Sequence, residues 1–293
     1  MLDLGARRDY LVLGDNCDVL PLLPAGSFPL IYIDPPFNTG GRQQRRTLRT
    51  VGSADGDRVG FGGRRYSTEE LGRIGYRDAF DDYPAFIAPR LEQARRLLTR
   101  SGSLYFHIDY REAHYCKVLL DSIFGRDCFL NEIIWAYDFG GRARDRWPAK
   151  HDTILVYVRT PGAHYFDQEA VERIPYMAPN LVGPEKASRG KLPTDVWWNT
   201  IVPTNGREKT GYPNQKPETI LRRIIQASTR PGDRVLDFFA GSGTTGAAAR
   251  ALGRRFVLVD DNPEALEVMR ARLGDEDLNY VDARFRRGAP EHG

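Results

Sequence analysis

The sequence predicts an α/β protein in which helices flank a mainly parallel sheet. Short apolar runs such as Tyr10–Leu13 and Leu30–Ile33 are typical of strands buried on both faces, and amphipathic helical patterns alternate with them. Near the end of the chain, the strand Asp233–Phe239 leads through a glycine-rich turn into a helix. With 293 residues, of which 41% are hydrophobic, the chain has enough apolar material for one large or two unequal domains.

The composition argues against several classes of protein. No apolar run approaches the roughly 20 residues of a membrane span, and the N-terminus has no signal-peptide core, so a cytoplasmic location is expected. The cysteines (Cys17, Cys116 and Cys128) have no C-x-x-C spacing, and the histidines have no ligand spacing. Neither a disulfide framework nor a metal site is therefore expected. The net charge of +3 does not by itself indicate a nucleic-acid partner.

The first strand, Tyr10–Leu13, ends in Gly14-Asp15-Asn16, and a short helix or turn is expected over residues 17–23. Asp15 therefore lies at the carboxyl end of a strand. Two interpretations are open: Asp15 caps the following helix, or it belongs to a ligand site at this edge of the sheet.

The second strand, Leu30–Ile33, ends in Asp34-Pro35-Pro36-Phe37. The prolines lack N–H donors and have a fixed φ, so the chain leaves the sheet in a stiff, extended turn at the edge where α/β sheets bind ligands. The Asp34 carboxylate and the Pro35 carbonyl could accept both hydrogens of one amino group, while Phe37 stacks on a flat ring. The alternative is that the prolines only end the strand.

Residues 40–75 are predicted to form a long, mobile, basic loop over this site. Between residues 40 and 73 there are eight arginines and four acidic residues, and no periodicity is apparent. Arg42, Arg45 and Arg46 are candidates for contacts with phosphate groups. A solvated insertion without function is the alternative.

The middle of the chain continues the alternation of helices and strands. Helical spacing predicts helices over Asp81–Arg100 and Glu112–Phe124, the second ended by Gly125. Apolar runs predict strands at Ser103–Ile108, Glu132–Tyr137 and Thr153–Arg159. The segment between the last two strands is a basic, aromatic-bearing hairpin whose candidate phosphate contacts are Arg142, Arg144 and Arg146.

The segment 161–213 differs in texture, with many prolines and little periodicity. It is the candidate for a separate, smaller region, and residues 1–160 and 214–293 are assigned to the main domain. Trp197 and Trp198 could stack on bases, although packing inside this region is favoured.

The C-terminal part carries the second informative pattern. A helix at Glu218–Ala227 precedes the strand Asp233–Phe239, a helix at Ala247–Leu252 and a strand at Phe256–Val259. A helix at Pro263–Leu273 and the segment Asn279–Ala283 follow. Between the strand Asp233–Phe239 and the helix that follows it, Gly241, Gly243 and Gly246 satisfy G-x-G-x-x-G. Asp260 follows the next strand, Phe256–Val259. This combination predicts a nucleoside-containing cofactor whose ribose hydroxyls are bound by the acid.

The position of the glycine pattern decides between two cofactor classes. An NAD-dependent dehydrogenase places this unit first and builds more strands after it. Here one clear strand follows, so the sheet is predicted to be a circularly permuted, Rossmann-like sheet in which Tyr10–Leu13 and Leu30–Ile33 continue the series. Asp34 and Asp237 then lie side by side. A cofactor pocket beside a pocket for an amino group indicates group transfer to nitrogen.

These motifs resemble those of the β-group DNA amino-methyltransferases, in which a D-P-P-Y/F motif precedes an F-x-G-x-G motif. The resemblance covers nearly the whole chain through Gly14-Asp15, DPPFNTG, His151-Asp152, Gln215-Lys216-Pro217 and DFFAGSGTT. The chain departs from the pattern in two places: Phe238 stands where many members have Pro, and Asp260 where many have Glu. The resemblance implies a methyltransferase sheet, S-adenosyl-L-methionine as cofactor, double-stranded DNA as substrate, and a target-recognition region, here assigned to residues 161–213.

The resemblance also implies the roles of individual residues. Asp34, Pro35, Pro36 and Phe37 are the catalytic turn. The implied cofactor-binding residues are Asp15, Asp34, Lys216, Pro217, Asp237, Phe239, Gly241, Gly243, Thr244, Thr245 and Asp260. Within that set Asp15 approaches the adenine, Asp260 binds the ribose, and Lys216 and Pro217 flank the methionine part.

An aspartate at the first motif position favours adenine N6 as the methylated atom in a specific sequence, with cytosine N4 as the alternative. An NAD-dependent dehydrogenase and an inactive nucleic-acid-binding relative are weaker alternatives. A homodimer and a cognate restriction endonuclease as partner are both compatible with the family.

Overall fold

The computed structural model of the chain describes residues 4, 8–52, 58–59, 65–141, 143–203, 205–274 and 277–284. The strands are β1 (Asp9–Leu13), β2 (Phe28–Ile33), β3 (Gly41–Gly52), β4 (Arg58–Val59), β5 (Arg65–Asp78), β6 (Leu98–Asp109), β7 (Phe129–Ala136), β8 (His151–Val158), β9 (Val196–Trp198), β10 (Arg234–Asp237), β11 (Arg255–Asp260) and β12 (Leu278–Asp282). The α-helices are α1 (Asn16–Val19), α2 (Tyr83–Leu97), α3 (Ala113–Phe124), α4 (Pro184–Arg189), α5 (Glu218–Ser228), α6 (Thr244–Ala251) and α7 (Pro263–Leu273). No helix within these ranges has the length and apolar character needed to cross a membrane.

Nine strands form one sheet in the order β12-β1-β11-β10-β2-β6-β8-β7-β9. The first six in this order run parallel, whereas β8 is antiparallel to both β6 and β7. The strands β10 and β11, from the end of the chain, lie between β1 and β2, from its beginning. This order confirms the predicted circular permutation of an α/β sheet.

The core has two layers because successive residues of each central strand point to opposite faces. Ile31 and Ile33 of β2 pack in the cluster that includes the buried faces of α2 and α3. Leu30 and Tyr32 pack in the other cluster, with residues of α5, α6 and α7. Burial on both faces explains why the central strands are almost continuously apolar in sequence.

The helix predicted over Asp81–Arg100 ends earlier, at Leu97, because the chain enters β6 at Leu98. Leu98 pairs with Phe28 of β2. A Cβ atom added to Gly102 would lie 2.9 Å from the Phe28 carbonyl oxygen, so this glycine permits a close approach of the two strands.

The secondary structure expected for residues 40–75 is wrong, since two long strands occupy most of this segment. β3 and β5 pair in antiparallel register from Gly41 opposite Asp78 to Gly52 opposite Tyr66, and β4 adds a third, short strand. The arginines and glycines of these strands follow no alternation of apolar and polar residues, so the period of two by which strands are recognised is absent from this part of the sequence. The mobility of this ribbon, and its role, stay predictions.

The segment 161–213 contributes β9 to the edge of the main sheet, next to β7. Trp197 is buried there and its Nε1 donates to the Thr194 carbonyl at 2.7 Å, whereas Trp198 is 76% exposed. Of the two interpretations of the tryptophan pair, core packing therefore holds for Trp197, and Trp198 is available at the surface. The boundaries of a separate recognition region stay a prediction.

Candidate active site

The site lies where four parallel strands end at one edge of the sheet. Leu30 pairs with Val235 and Ile31 with Leu236, so the chain leaves β2 at Asp34 beside the point where β10 ends in Asp237. The strand β11 ends in Asp260 next to β10, and β1 leads to Asp15. A cavity of about 310 Å³ opens here. It is lined by residues that include Asp15, Asn16, Asp34, Pro36, Phe86, Arg90, Tyr212, Lys216, Asp237, Phe239, Gly241, Thr244, Thr245, Asp260 and Asp261.

The glycine turn after β10 is a cradle that side chains would fill. Gly241 and Gly243 have φ angles of +50° and +72°, in the left-handed region that favours glycine. A Cβ atom on Gly241 would lie 3.2 Å from the Tyr212 ring, and one on Gly243 would lie 2.7 Å from Met269 Cγ. The helix α6 begins directly after this turn, so its first N–H groups lie near the cavity.

Asp260 fastens this turn to the end of β11. Its Oδ2 accepts the N–H of Gly241 at 2.8 Å, and its Oδ1 accepts the N–H of Asn262 at 3.0 Å. Each carboxylate oxygen has further acceptor capacity, which suits a pair of ribose hydroxyls. The residues thus fit a nucleoside-containing cofactor.

Asp15 combines both of the roles that its position allowed. Its Oδ1 accepts the N–H of Cys17 at 2.9 Å, which caps α1, and the residue also lines the cavity. The guanidinium of Arg90 lies 3.5 Å from the same oxygen and donates through Nε to Asn16 Oδ1 at 2.6 Å. Arg90 also lies over the ring of Phe86, 4.0 Å from its centroid.

Asn16, Phe86 and Arg90 were missed by sequence reasoning. The helical spacing of α2 places Phe86 on the apolar face and the arginines on the opposite face, so it predicts neither Phe86 nor Arg90 as a site residue. The only signal in the sequence was that Asn16 directly follows Asp15, and no sequence pattern relates Arg90 to that strand end.

Two carboxyl groups of the cavity have strongly altered acidity. Burial raises the pKa of Asp237 to about 7, and repulsion from Asp34 and Asp260 acts in the same direction. Hydrogen bonds from Thr245 Oγ1 at 2.6 Å and from the Phe239 N–H at 3.0 Å oppose the rise. Burial likewise raises the pKa of Asp260 to about 6. A positively charged ligand would therefore be stabilised in this cavity.

The catalytic turn predicted at Asp34–Phe37 has a distinctive pairing. Asp34 Oδ2 lies 2.8 Å from Lys216 Nζ. Asp34 Oδ1 is buried and has no hydrogen-bond partner among the described residues. Lys216 Nζ also lies over the ring of Phe37, 4.5 Å from its centroid, and Phe37 packs near His107. A buried carboxylate oxygen without a donor is prepared to accept a hydrogen from a bound molecule.

The predicted residues fall into three groups by position. Pro36 and most of the predicted cofactor-binding residues line the cavity. Four predicted residues do not line it but are next to lining residues in the sequence: Pro35, Phe37, Pro217 and Gly243. Arg144 and Arg146 are exposed in the segment between β7 and β8, and Arg42, Arg45 and Arg46 lie in β3. Arg142 lies outside the described residues.

Comparisons with known proteins give the geometry a family context. DNA adenine methyltransferase YhdJ of Escherichia coli K12 is 30% identical to this chain over 277 residues, which cover 92% of this chain and 84% of the relative. Two solved structures share the fold. The cytosine-N4-specific PvuII DNA methyltransferase superposes with a TM-score of 0.63 at 15% identity and covers 92% of this chain and 88% of its own. TTHA0409 of Thermus thermophilus, solved with S-adenosyl-L-methionine, has a TM-score of 0.59 at 20% identity, with coverages of 94% and 98%.

A sequence model of the N6/N4 family, described as DNA methylase, matches residues 28–271. That range begins with β2, contains the Asp34 turn and the glycine turn, and ends in α7. The family model matches most of the chain, and a relative is 30% identical over 92% of it. The protein therefore belongs to the N6/N4 DNA methylase family.

Proposed function

We propose that this DNA methyltransferase transfers a methyl group to the exocyclic N6 amino group of adenine in a specific DNA sequence, after the base is flipped out of the duplex. The observation that carries the proposal is the buried, unsatisfied Asp34 Oδ1 in the cavity that also contains the glycine turn. Adenine is favoured because the motif begins with aspartate and because a relative at 30% identity is named an adenine methyltransferase.

The family confirms the prediction of S-adenosylmethionine as cofactor. The residues present fit it: the cradle at Gly241, the Asp260 carboxylate and the buried, acidic cavity suit a ribose and a positively charged sulfur. When bound, the cofactor supplies a methyl carbon that is electrophilic because it is attached to a sulfonium.

The catalytic turn then has to activate a poor nucleophile, since the lone pair of an exocyclic amino group is delocalised into the ring. Asp34 Oδ1 and the Pro35 carbonyl accept the two amino hydrogens and draw the nitrogen toward a pyramidal geometry. The positive charge that develops on nitrogen is stabilised by the carboxylate, which can also take the proton that the nitrogen later loses. Flipping the base costs a few kcal/mol, and stacking on Phe37 and backbone contacts offset that cost.

Nucleoside analysis tests the choice of base. Unmethylated duplex DNA is incubated with the protein and cofactor carrying a labelled methyl group, digested to nucleosides and separated by chromatography with mass detection. We expect the label in N6-methyl-2′-deoxyadenosine. Label in N4-methyl-2′-deoxycytidine would move the proposal to cytosine, and no label in any DNA would refute it.

The altered acidity of Asp237 predicts a pH-dependent preference for the charged cofactor over its demethylated, uncharged product. Because its pKa is about 7, Asp237 is largely neutral near pH 6, and a bound cation favours the ionised form. Cofactor binding therefore releases a proton, and affinity increases as the pH rises through 7. By calorimetry, the ratio of product Kd to cofactor Kd should rise between about pH 5.5 and about pH 8.

The matched control for this measurement is Asp237→Asn, which cannot ionise at this position and should show a ratio that changes less with pH, with the remaining change due to Asp260, whose pKa is raised to about 6. Groups common to both ligands cancel in the ratio. A ratio independent of pH in the unaltered protein would contradict the inference that the Asp237 carboxylate stabilises the positively charged cofactor.

We also propose that the β3–β5 ribbon grips DNA phosphates with one face. The register pairs Arg42 with Arg77 and Arg46 with Arg73, so four arginine positions share a face, whereas Arg45 is at a position on the opposite face. Four arginine positions on one face suit binding to a polyanion. The ribbon begins at the edge of the sheet that carries Asp34. The segment with Arg144 and Arg146 and the end of β9 lie at the same edge.

Replacing the four arginines of that face by glutamine should weaken DNA binding and make it less dependent on salt. The slope of log Kd against log salt concentration should fall by about 0.9 for each phosphate that the variant no longer neutralises. Arg45→Gln, on the other face, is expected to have a smaller effect in the same fluorescence-anisotropy titration. Equal slopes for the fourfold variant and the unaltered protein would remove the ribbon from the DNA interface.

A further inference from the structure

Hydrogen bonds of Gln215 and of its own carbonyl hold the backbone of Lys216 in place. The preceding Gln215 accepts the N–H and the hydroxyl of Thr210, both at 2.8 Å, and donates to the Glu208 carbonyl at 2.6 Å. The Lys216 carbonyl accepts from Thr244 Oγ1 at 3.2 Å, at the start of α6. These contacts fix the backbone of Lys216 between the glycine turn and the Asp34 turn.

The ammonium of Lys216 is buried among acidic groups rather than in solvent. Its side chain is 9% exposed, and the paired side chain of Asp34 is 18% exposed. The pKa of the buried Asp152 is lowered: burial opposes this change, and the hydrogen bond and charge of His107 and the charge of Lys216 outweigh it. An ammonium group that is so little exposed to solvent is stabilised by its charged partners, so removing one of them strongly destabilises the folded protein.

Resting on the proposed function, we propose that Lys216 is a positioning residue for methyl transfer. It holds the Asp34 carboxylate through Oδ2, so that Oδ1 is left as the acceptor for the target amino group. The sequence resemblance assigned Lys216 to the methionine part of the cofactor. The 2.8 Å contact with Asp34 adds a second role, because it connects Lys216 to the acceptor of the target amino group.

This pairing has a geometric effect on the reaction. The ion pair fixes the rotation of the carboxylate, so that one oxygen, and not either of two, meets the amino group.

Lys216→Met tests the proposal, because methionine fills similar space without a charge. We expect kcat to fall by about 100-fold, the scale found when one preorganised electrostatic group is removed from an active site. Lys216→Arg, which keeps the charge, should recover part of the lost kcat.

Two binding measurements separate positioning from other roles. Calorimetry with the demethylated cofactor product should show a Kd within about threefold of the unaltered protein, because Lys216 acts on Asp34. The fluorescence of 2-aminopurine at the target position of a duplex should show unchanged base flipping. Arg126→Met, at an exposed cation outside both the cavity and residues 161–213, is the control and should match the unaltered protein in every assay.

Three results would overturn the proposal. An unchanged kcat in Lys216→Met would show no role in catalysis. A product Kd weakened in proportion to kcat/KM would return Lys216 to the cofactor site. Increased 2-aminopurine fluorescence with undiminished kcat would show that Lys216 obstructs the base, in keeping with its place over the Phe37 ring. Methylation of cytosine instead of adenine would leave the proposal standing, since both targets are exocyclic amino groups; failure of the unaltered protein to methylate DNA would refute the proposed function instead.

Discussion

Asp34→Ala is expected to abolish methyl transfer to DNA while the cofactor still binds. The substitution removes the buried Oδ1 that accepts an amino hydrogen and the charge that stabilises the developing cation. Losing preorganised electrostatic stabilisation of this kind lowers kcat by at least about 100-fold. The measurement is single-turnover transfer of labelled methyl groups to duplex DNA at saturating cofactor, paired with calorimetric titration of the cofactor.

Asp34→Asn refines the same test, because it keeps the shape and one acceptor oxygen but not the charge. An intermediate rate would show that hydrogen bonding carries part of the effect, whereas a rate equal to that of Asp34→Ala would assign the effect to charge. Asp127→Ala removes an exposed aspartate far along the chain and is the control for general effects of substitution. Unchanged turnover in Asp34→Ala would take Asp34 out of the mechanism.

The juxtaposition of Asp34 with Asp237 could be predicted from sequence because it depends on strand order. Strands buried on both faces are apolar along their length, so β2, β10 and β11 are visible as runs without an alignment. The glycine turn fixes which of them is central, and the shortage of strands after it requires the permutation. Parallel strands then bring their carboxyl ends to one edge.

The contacts that tune the site could not be predicted, because they depend on loops and side-chain reach. Lys216 meets Asp34 only through the path of the chain between residues 199 and 217, in which no periodicity exists to be recognised. Arg90 reaches Asn16 from a helix surface that the sequence pattern assigns to solvent. The β3–β5 ribbon was missed for a related reason: backbone pairing defines it, and its residues do not alternate between apolar and polar.

Gly243→Ala is expected to disable the cofactor site more severely than its backbone cost alone would do. A left-handed φ of +72° costs an alanine about 1 kcal/mol, and the added Cβ atom would also lie 2.7 Å from Met269 Cγ, in the core beneath α6. Relief of that clash requires the buried Met269 side chain to shift or α6 or α7 to move, and the turn that carries Gly241 moves with α6. We expect at least about a tenfold loss of cofactor affinity and a lower Tm.

Gly253→Ala isolates the clash from the backbone cost. Gly253 has nearly the same φ, +71°, but a Cβ atom there would meet nothing within 4 Å. Both variants therefore carry the cost of a left-handed alanine, and only Gly243→Ala meets Met269. Equal losses of Tm and equal cofactor affinities in the two would show that the close approach of the turn to α7 has no part in the site.

A double-mutant cycle with Met269→Ala carries the test one step further. Met269 is fully buried, so its truncation alone should cost about 2–5 kcal/mol. Where the two side chains compete for one space, the combined variant should lose less stability than the sum of the single variants, by about 1 kcal/mol or more. Additive losses would mean that Gly243→Ala acts through its own backbone. A positive coupling, with part of the cofactor affinity recovered, would show that the α7 packing beneath the turn sets the shape of the cradle.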